Sequence, residues 1–324
     1  MHRQTKITSI LAAVLLAWAA LASAQTFPVR PITIIVPFPP GGVTDPVARA
    51  VGQKIQESTG QSVLIDNRPG AGGVVAAELA KRAPPDGYTV FFSNFATHAV
   101  NVTLYTKLPY DPVKDFQPIT KIIATQSMLV VPVGSPAKTP ADLVALAKAK
   151  PNGMTYASQG IGAGGHLQGE MFRKMTGVTL THVPYKGSGP ALQDMLAGRV
   201  DLFFDALITA GPHTREGKLR ALAITSKTRS NLYPDLPTME ELGFNGMELD
   251  AWFGMFVPAG TPQPVVRKLH EEFVKAIRSP DLVKRFTDLG LDVVTNTPEE
   301  FAALIASDIV KLGQVVRDSG AKVD

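Results

Sequence analysis

Residues 32–45 read Ile-Thr-Ile-Ile-Val-Pro-Phe-Pro-Pro-Gly-Gly-Val-Thr-Asp. ITIIV is a short apolar run rich in β-branched residues, and it predicts a buried strand. The PVARAVGQKIQEST that follows repeats Val47, Val51 and Ile55 every fourth residue, which predicts a helix with one core-facing stripe. The connector between them is unusual. Pro37, Pro39 and Pro40 have no amide to donate, which leaves Gly41 and Gly42 as the main donors, with no side chain to keep a ligand away. Pro46 suits a first helical position, so Asp45 is the expected N-cap. The loop therefore resembles an anion cradle at a helix start. Asp45 brings a negative charge there: either it caps the helix while an anion uses the earlier amides, or it faces a cationic group on the ligand. A plain structural turn accounts for the same composition.

The same strand–loop–helix unit recurs. SVLIDN leads to GAGGVVAAELAKRA, and GYTVFFSN follows a Pro84-Pro85-Asp86-Gly87 turn. After Pro151, MTYAS leads to GHLQGEMFRKMTG, THVPY to SGPALQDMLAG, and VDLFFD to a short segment before LRALAIT. Such alternation predicts parallel sheets covered by helices, in two sets rather than one long sheet. Between the sets lies SMLVVPVGSP, and near the end of the second lies WFGMFVPAGTP; both carry V-P-x-G-[ST]-P. These read as strands crossing between two domains, with the helical segments after Pro262, Pro280 and Pro298 returning to the first. The expected division is 25–126 with 254–324 as a discontinuous first domain, and 127–253 as the second.

The chain has 324 residues, 45% hydrophobic and 19% charged, which is globular composition with length for two moderate domains. Its N-terminus is separate. Arg3 and Lys6 precede the apolar ITSILAAVLLAWAALA, and Ala22-Ser23-Ala24 has the small residues of a cleavage site. The reading is a signal peptide over residues 1–24, a mature chain beginning at Gln25, and a periplasmic location. An uncleaved anchor is the competing reading. There is no cysteine, hence no disulfide and no thiol chemistry. The formal charge of +4, less Arg3 and Lys6, leaves +2. The remaining charges are scattered without a basic run or interleaved aromatics, so no nucleic-acid partner is expected.

Several segments could carry chemistry. Gly160, Gly162 and Gly165 match G-x-G-x-x-G after a strand and before a helix, the dinucleotide fingerprint in its context. The next strand ends not in an acid but in His182-Val-Pro-Tyr-Lys186, which by spacing suits a 2′-phosphate; export makes a nucleotide cofactor a poor fit, and none is expected. The preferred reading is a second amide-lined cradle over Ser158, Gly160, Ile161 and Gly162, facing the first. Lys186 and Gly187 open another glycine-rich turn. Asp205 closes a buried strand on the same edge, or caps the following helix. No H-E-x-x-H or G-x-S-x-G occurs. Ser135-Pro-Ala-Lys138 matches S-x-x-K only within a proline-rich strand exit. The histidines are dispersed without helical metal-ligand spacing, and His166 reads as a polar lining or a cap.

Taken in order, RPITIIVPFPPGGVTDPVAR, IDNRPGAGG, PPDGYT, LPYDPVKDFQPIT, HVPYKGSGPAL and WFGMFVPAGTP resemble the Bug family, the extracytoplasmic solute receptors of tripartite tricarboxylate transporters. The likeness runs over nearly the whole mature chain. It implies an α/β, type II-like periplasmic-binding fold whose two domains close on a small organic carboxylate, without catalysis and as a monomer, and deliver it to membrane permease components. It implies a ligand held mostly by loop amides, small hydroxyls and waters. Carried onto this chain, the site comprises Phe38, Pro39, Gly41, Gly42 and Asp45; Ser93 and Asn94; Ser158, Gly160, Ile161, Gly162 and His166; Lys186 and Gly187; and Asp205. The chain departs from the family at Ala206, where Asn is common, and at Asn101-Val102-Thr103, where Asn-Pro precedes Leu-Tyr. An exported enzyme acting on an organic acid, or a receptor that feeds a sensor, is the competing reading.

Overall fold

The computed structural model describes residues 27–40, 43–249 and 251–323. The expected leader, Gly41 and Gly42 lie outside the described residues.

β1 (Ile32–Val36) is buried on both faces, as its unbroken apolar run requires, and leads to α1 (Thr44–Thr59). Val47, Val51 and Ile55 form the buried stripe of α1, which ends on Gly60 at φ 71°. β2 (Val63–Asn67), α2 (Val74–Lys81) and β3 (Thr89–Asn94) repeat the unit. A π-helical turn, Ala96–Val100, then runs into the short α3 (Asn101–Leu104) and on to β4 (Phe116–Thr125). β1 pairs in parallel with β2 and β3.

One residue, Gln126, separates β4 from β5 (Ser127–Pro132), yet β5 pairs only within the other sheet. There follow α4 (Pro140–Ala149), closed by a Thr139/Asp142 capping box, β6 (Met154–Ser158), α5 (Gly164–Thr176), β7 (Leu180–Pro184), α6 (Ser188–Leu196), β8 (Leu202–Ala206), α7 (Leu207–Arg215) and β9 (Leu219–Ile224). The chain then returns: β10 (Ala251–Pro258), α8 (Gln263–Ile277), α9 (Pro280–Asp288), β11 (Leu291–Val293) and α10 (Pro298–Ser319) complete the first half.

The first sheet has the order β11-β4-β10-β3-β1-β2 and the second β7-β6-β8-β5-β9. In each, the parallel strands of the βαβ units are flanked by antiparallel ones: β10 runs against β3 and β4, and β5 against β8 and β9. This is the two-lobed α/β architecture expected from the sequence. One detail differs. SMLVVP lies wholly in the second sheet and AWFGMFVP wholly in the first, so the passages between lobes are Gln126 and the irregular segment after β9, not the two V-P-x-G-[ST]-P strands themselves. The helices after Pro262, Pro280 and Pro298 do return to the first sheet.

Apolar clusters cover both faces of each sheet. Phe91, Trp252, Phe256 and Phe301 fill one face of the first, and Leu129, Tyr156, Phe172 and Phe204 one face of the second. Leu167 is an exception to this partition: it comes from α5 but is buried in the first sheet's cluster with Phe95, Leu249 and Trp252. Gly169 in the middle of α5 would ordinarily weaken a helix by about 1 kcal/mol. Here the Tyr156 ring lies where a side chain would begin, at 2.2 Å from an ideal Cβ.

Candidate functional site

The carboxyl ends of β1 and β3 in the first sheet, and of β6, β7 and β8 in the second, carry the loops singled out above. That is where ligands bind in open α/β sheets. In the first loop Pro37 is buried, Phe38 half-buried, and Pro39 exposed. The Phe38 carbonyl accepts from Asn67 Nδ2 at 3.1 Å, and Asn67 Oδ1 accepts from Arg49 at 3.4 Å. Arg49 grips Asp45 with both arms of its guanidinium, each at 3.0 Å. The carboxylate of Asp45 is thus compensated within its own helix, which answers the question its charge raised.

The expected capping arrangement differs from the observed one. α1 begins at Thr44, Val43 precedes it, and no side chain caps it, so Asp45 is the second helical residue and Pro46 the third. Proline is tolerated there because amides of the first turn have no carbonyl to reach, and an acid in the first turn meets the positive end of the helix dipole.

Ser93 and Asn94 end β3, and the structure turns Ser93 inward. It is fully buried, hydrogen-bonded to the Thr97 hydroxyl and at 3.1 Å from His98 Nδ1. Asn94 Oδ1 accepts from the Thr97 amide at 3.2 Å. His98 itself is stacked on Phe256 at 3.7 Å between ring centroids, and burial pushes its imidazole down to about 3. These groups close the end of a strand, and Ser93 offers nothing to a ligand in this arrangement.

In the second lobe the loop after β6 is bound up with itself. The Ser158 hydroxyl accepts from the Gly160 amide at 3.1 Å and lies 2.6 Å from His182 Nε2. The Ala163 amide donates to the Gly160 carbonyl, closing a turn with Ile161 and Gly162 at its centre. Gly162 has φ 81°, and a Cβ on it would stand 2.5 Å from Leu104 of the first lobe. Only glycine serves both conditions. The Gly162 amide donates to His166 Nδ1 at 3.1 Å, and the Gly165 amide to Gln159 Oε1 at 3.0 Å. The amides of Gly160 and Gly162, expected to face an anion, are therefore engaged inside the loop. Ile161 projects from it, 45% exposed.

The loop after β7 is laid against this one: the Tyr185 amide donates to the Ser158 carbonyl and the Gly187 amide to the Gln159 carbonyl, both at 3.0 Å. Lys186 is exposed and forms no ion pair among the described residues. Asp205 lies beneath both loops, fully buried. Its Oδ1 accepts from Gln159 Nε2 at 2.8 Å and Ser188 Oγ at 2.7 Å, and its Oδ2 from Thr209 Oγ1 at 2.6 Å. Burial raises its carboxyl above the ordinary value, although the three donors pull the other way. In this arrangement Asp205 lies under the loops, which it ties to α6 and α7.

The sequence did not reveal one assembly. Tyr156, His182 and His166 form a column of stacked rings, with centroids 4.8 and 4.2 Å apart and both interplanar angles 19°. The Tyr156 hydroxyl donates to Glu170 at 2.6 Å, and Glu170 holds Arg173. Burial, with His166 alongside, pushes His182 down to about 4, and burial lowers His166 as well. Ser158 and His182 have the spacing of a nucleophile and its base, but so depressed an imidazole is a weak base at neutral pH and Ser158 is covered. No cluster of three or more metal-ligating side chains occurs among the described residues.

Among the candidate residues, Asp45 is paired, Asp205 is enclosed by donors, and His166 is an acceptor. Lys186 remains as the uncompensated formal charge. Such a surface favours an anion.

Comparison with known proteins bears on this site. The model of the tripartite tricarboxylate transporter family receptor matches residues 47–321. Protein BugT of Bordetella pertussis is 38% identical over 306 residues, 94% of either chain. A Rhodopseudomonas palustris protein solved with adipate superimposes with a TM-score of 0.87 at 35% identity, over 92% of this chain and 100% of that one. MatC from the same organism, solved with bound malate, gives 0.82 at 35% identity, over 90% and 100%.

Proposed function

The chain belongs to the receptor family of the tripartite tricarboxylate transporters, and from that premise we propose that it captures a short-chain dicarboxylate between its two lobes and hands it to the membrane permease without altering it. The observation that carries this reading is the charge state of the converging loops. Asp45 is paired with Arg49 and the buried Asp205 is enclosed by three hydrogen-bond donors, whereas the exposed Lys186 has no ion-pair partner among the described residues. The adipate and malate held by two relatives are both dicarboxylates. The lobes divide at Gln126, and the return lies at Ala251 rather than 254, because β10 pairs with β4 from its first residue. In the cell the protein is periplasmic and monomeric, cleaved after Ala24 to begin at Gln25.

The test is thermal unfolding with adipate, malate and other dicarboxylates beside tricarboxylates, aromatic acids, acidic amino acids and neutral diamides. A ligand about a hundredfold above its dissociation constant adds roughly 2.7 kcal/mol, which moves the melting temperature of a chain this long by a few degrees. A shift with diamides or sugars and none with acids sinks the proposal. Conversion of the bound acid during incubation, read by mass spectrometry, would instead favour the exported-enzyme reading.

A further inference from the structure

We infer that His166 is a positioning residue: its neutral imidazole, held flat against His182, sets the Ile161–Gly162 turn with which the second lobe meets the ligand, so that protonation of His166 releases the turn and weakens binding. The inference rests on the receptor reading above and deepens it.

An amide can donate to His166 Nδ1 only if that nitrogen carries a lone pair, so the Gly162 contact at 3.1 Å assigns the ring proton to Nε2. A second proton on Nδ1 would face the Gly162 N–H directly. The ring has little freedom to turn aside, because it is buried and one face is covered by His182 at 4.2 Å. His182 in turn is held by Ser158, where the same loop begins. Two stacked imidazoles therefore hold the two ends of one five-residue loop, Ser158 and Gly162. The far side of the Gly162 turn abuts Leu104, so a change in its course is transmitted to the contact between the lobes.

The charged and titratable neighbours support a neutral ring. From α5 itself, Glu170 favours protonation, but its oxygens are taken by the Tyr156 hydroxyl and by Arg173. From β7, His182 is itself held neutral down to about 4. From β6 comes Tyr156, with its pKa raised by burial. Burial lowers His166 below the ordinary histidine value of about 6.5. The loop-bound form thus resists the proton that the released form accepts. Binding is intact above the ordinary value and is lost progressively as pH falls toward the lowered one.

The experiment is calorimetric titration with adipate and with malate between pH ~5 and ~8, a span around the ordinary histidine value, on the natural protein, His166→Ala and His166→Asn. The Asn Oδ1 can take the place of Nδ1 without titrating. The natural protein should lose affinity severalfold toward the acid end. His166→Ala should be weaker by about three- to tenfold even at neutral pH, as for one lost hydrogen bond. His166→Asn should recover most of that loss and keep only the shallower acid limb that protonation of the ligand's own carboxylates imposes. In the ligand-free protein the Gly162 amide resonance should move with pH and be still in His166→Asn. An acid limb as steep in His166→Asn as in the natural protein, or a Gly162 resonance indifferent to pH in the natural protein, overturns the inference. If the resonance titrates but no dicarboxylate binds any of the three proteins, the receptor reading fails instead.

Discussion

Asp205 marks the difference between a residue's position and its role. Its place at the end of a buried strand was legible, because VDLFFD is an apolar run closed by one acid. Its direction was not. Gln159, Ser188 and Thr209 come from one loop and two different helices, and only the packed structure brings their donors onto one carboxylate. The consequence is testable. Asp205→Ala removes the acceptor of the part-buried Gln159 and Ser188 donors and should destabilise the protein by about 2 kcal/mol, at roughly 1–3 kcal/mol per unsatisfied group, in urea unfolding. Asp205→Asn keeps an acceptor for Gln159 and Ser188, and Thr209 can turn its proton to the Ala206 carbonyl, 3.0 Å away. It should lose less than half as much. Because the carboxyl pKa is raised, the folded state keeps a proton that the unfolded chain has released. The stability linked to Asp205 is therefore present below the ordinary carboxyl value of about 3.9 and disappears as pH rises through the raised one. Asp205→Asn should flatten that part of the stability profile. Adipate and malate should lose equal affinity in the variant; a larger loss for malate would mean that the carboxylate reaches the ligand's hydroxyl after all.

At the scale of elements, most of the architecture could be read in advance because strand and helix periods are punctuated by glycine and proline. The strands of both parallel cores and the helices after Pro262, Pro280 and Pro298 fall where expected. β4 was not foreseen, since Pro118 and Lys121 interrupt its apolar pattern, and only pairing with β10 and β11 makes it a strand. The ring column was also hidden. It depends on the parallel register that sets Tyr156 beside His182 and on α5 laying His166 over both. The turn these elements shape is sensitive to one carbon. Gly162→Ala places a methyl at φ 81° and 2.5 Å from Leu104. The backbone strain alone is on the order of 1–3 kcal/mol. The variant should melt lower and bind more weakly, whereas Gly189→Ala, where an added Cβ meets open space, should melt within about 0.5 kcal/mol of the natural protein. Equal effects of the two changes would remove the case for a constrained turn.

Across the whole molecule, the two passages between lobes run side by side. Ala251, where the second passage enters β10, is paired with Thr125, where the first leaves β4. On the first passage, the Gln126 carbonyl accepts from the Leu207 amide at 3.0 Å, and its side chain reaches Asp292 at 3.2 Å. Two adjacent tethers allow bending about a common line, the arrangement a hinge needs. Leu167 limits the range of that motion, since it belongs to α5 but is buried in the first lobe's core. A ligand that touches both sets of loops favours the closed arrangement, because only there are all its contacts made at once. Small-angle scattering should therefore give a smaller radius of gyration with saturating adipate or malate than without. Leu167→Ala should destabilise the protein by about 2–5 kcal/mol, the cost of emptying a buried leucine site. It should also enlarge the ligand-free radius, because one of the contacts that restrain the lobes is lost. A radius indifferent both to ligand and to Leu167→Ala would mean that the lobes form one rigid body, and that ligand enters by loop motion alone.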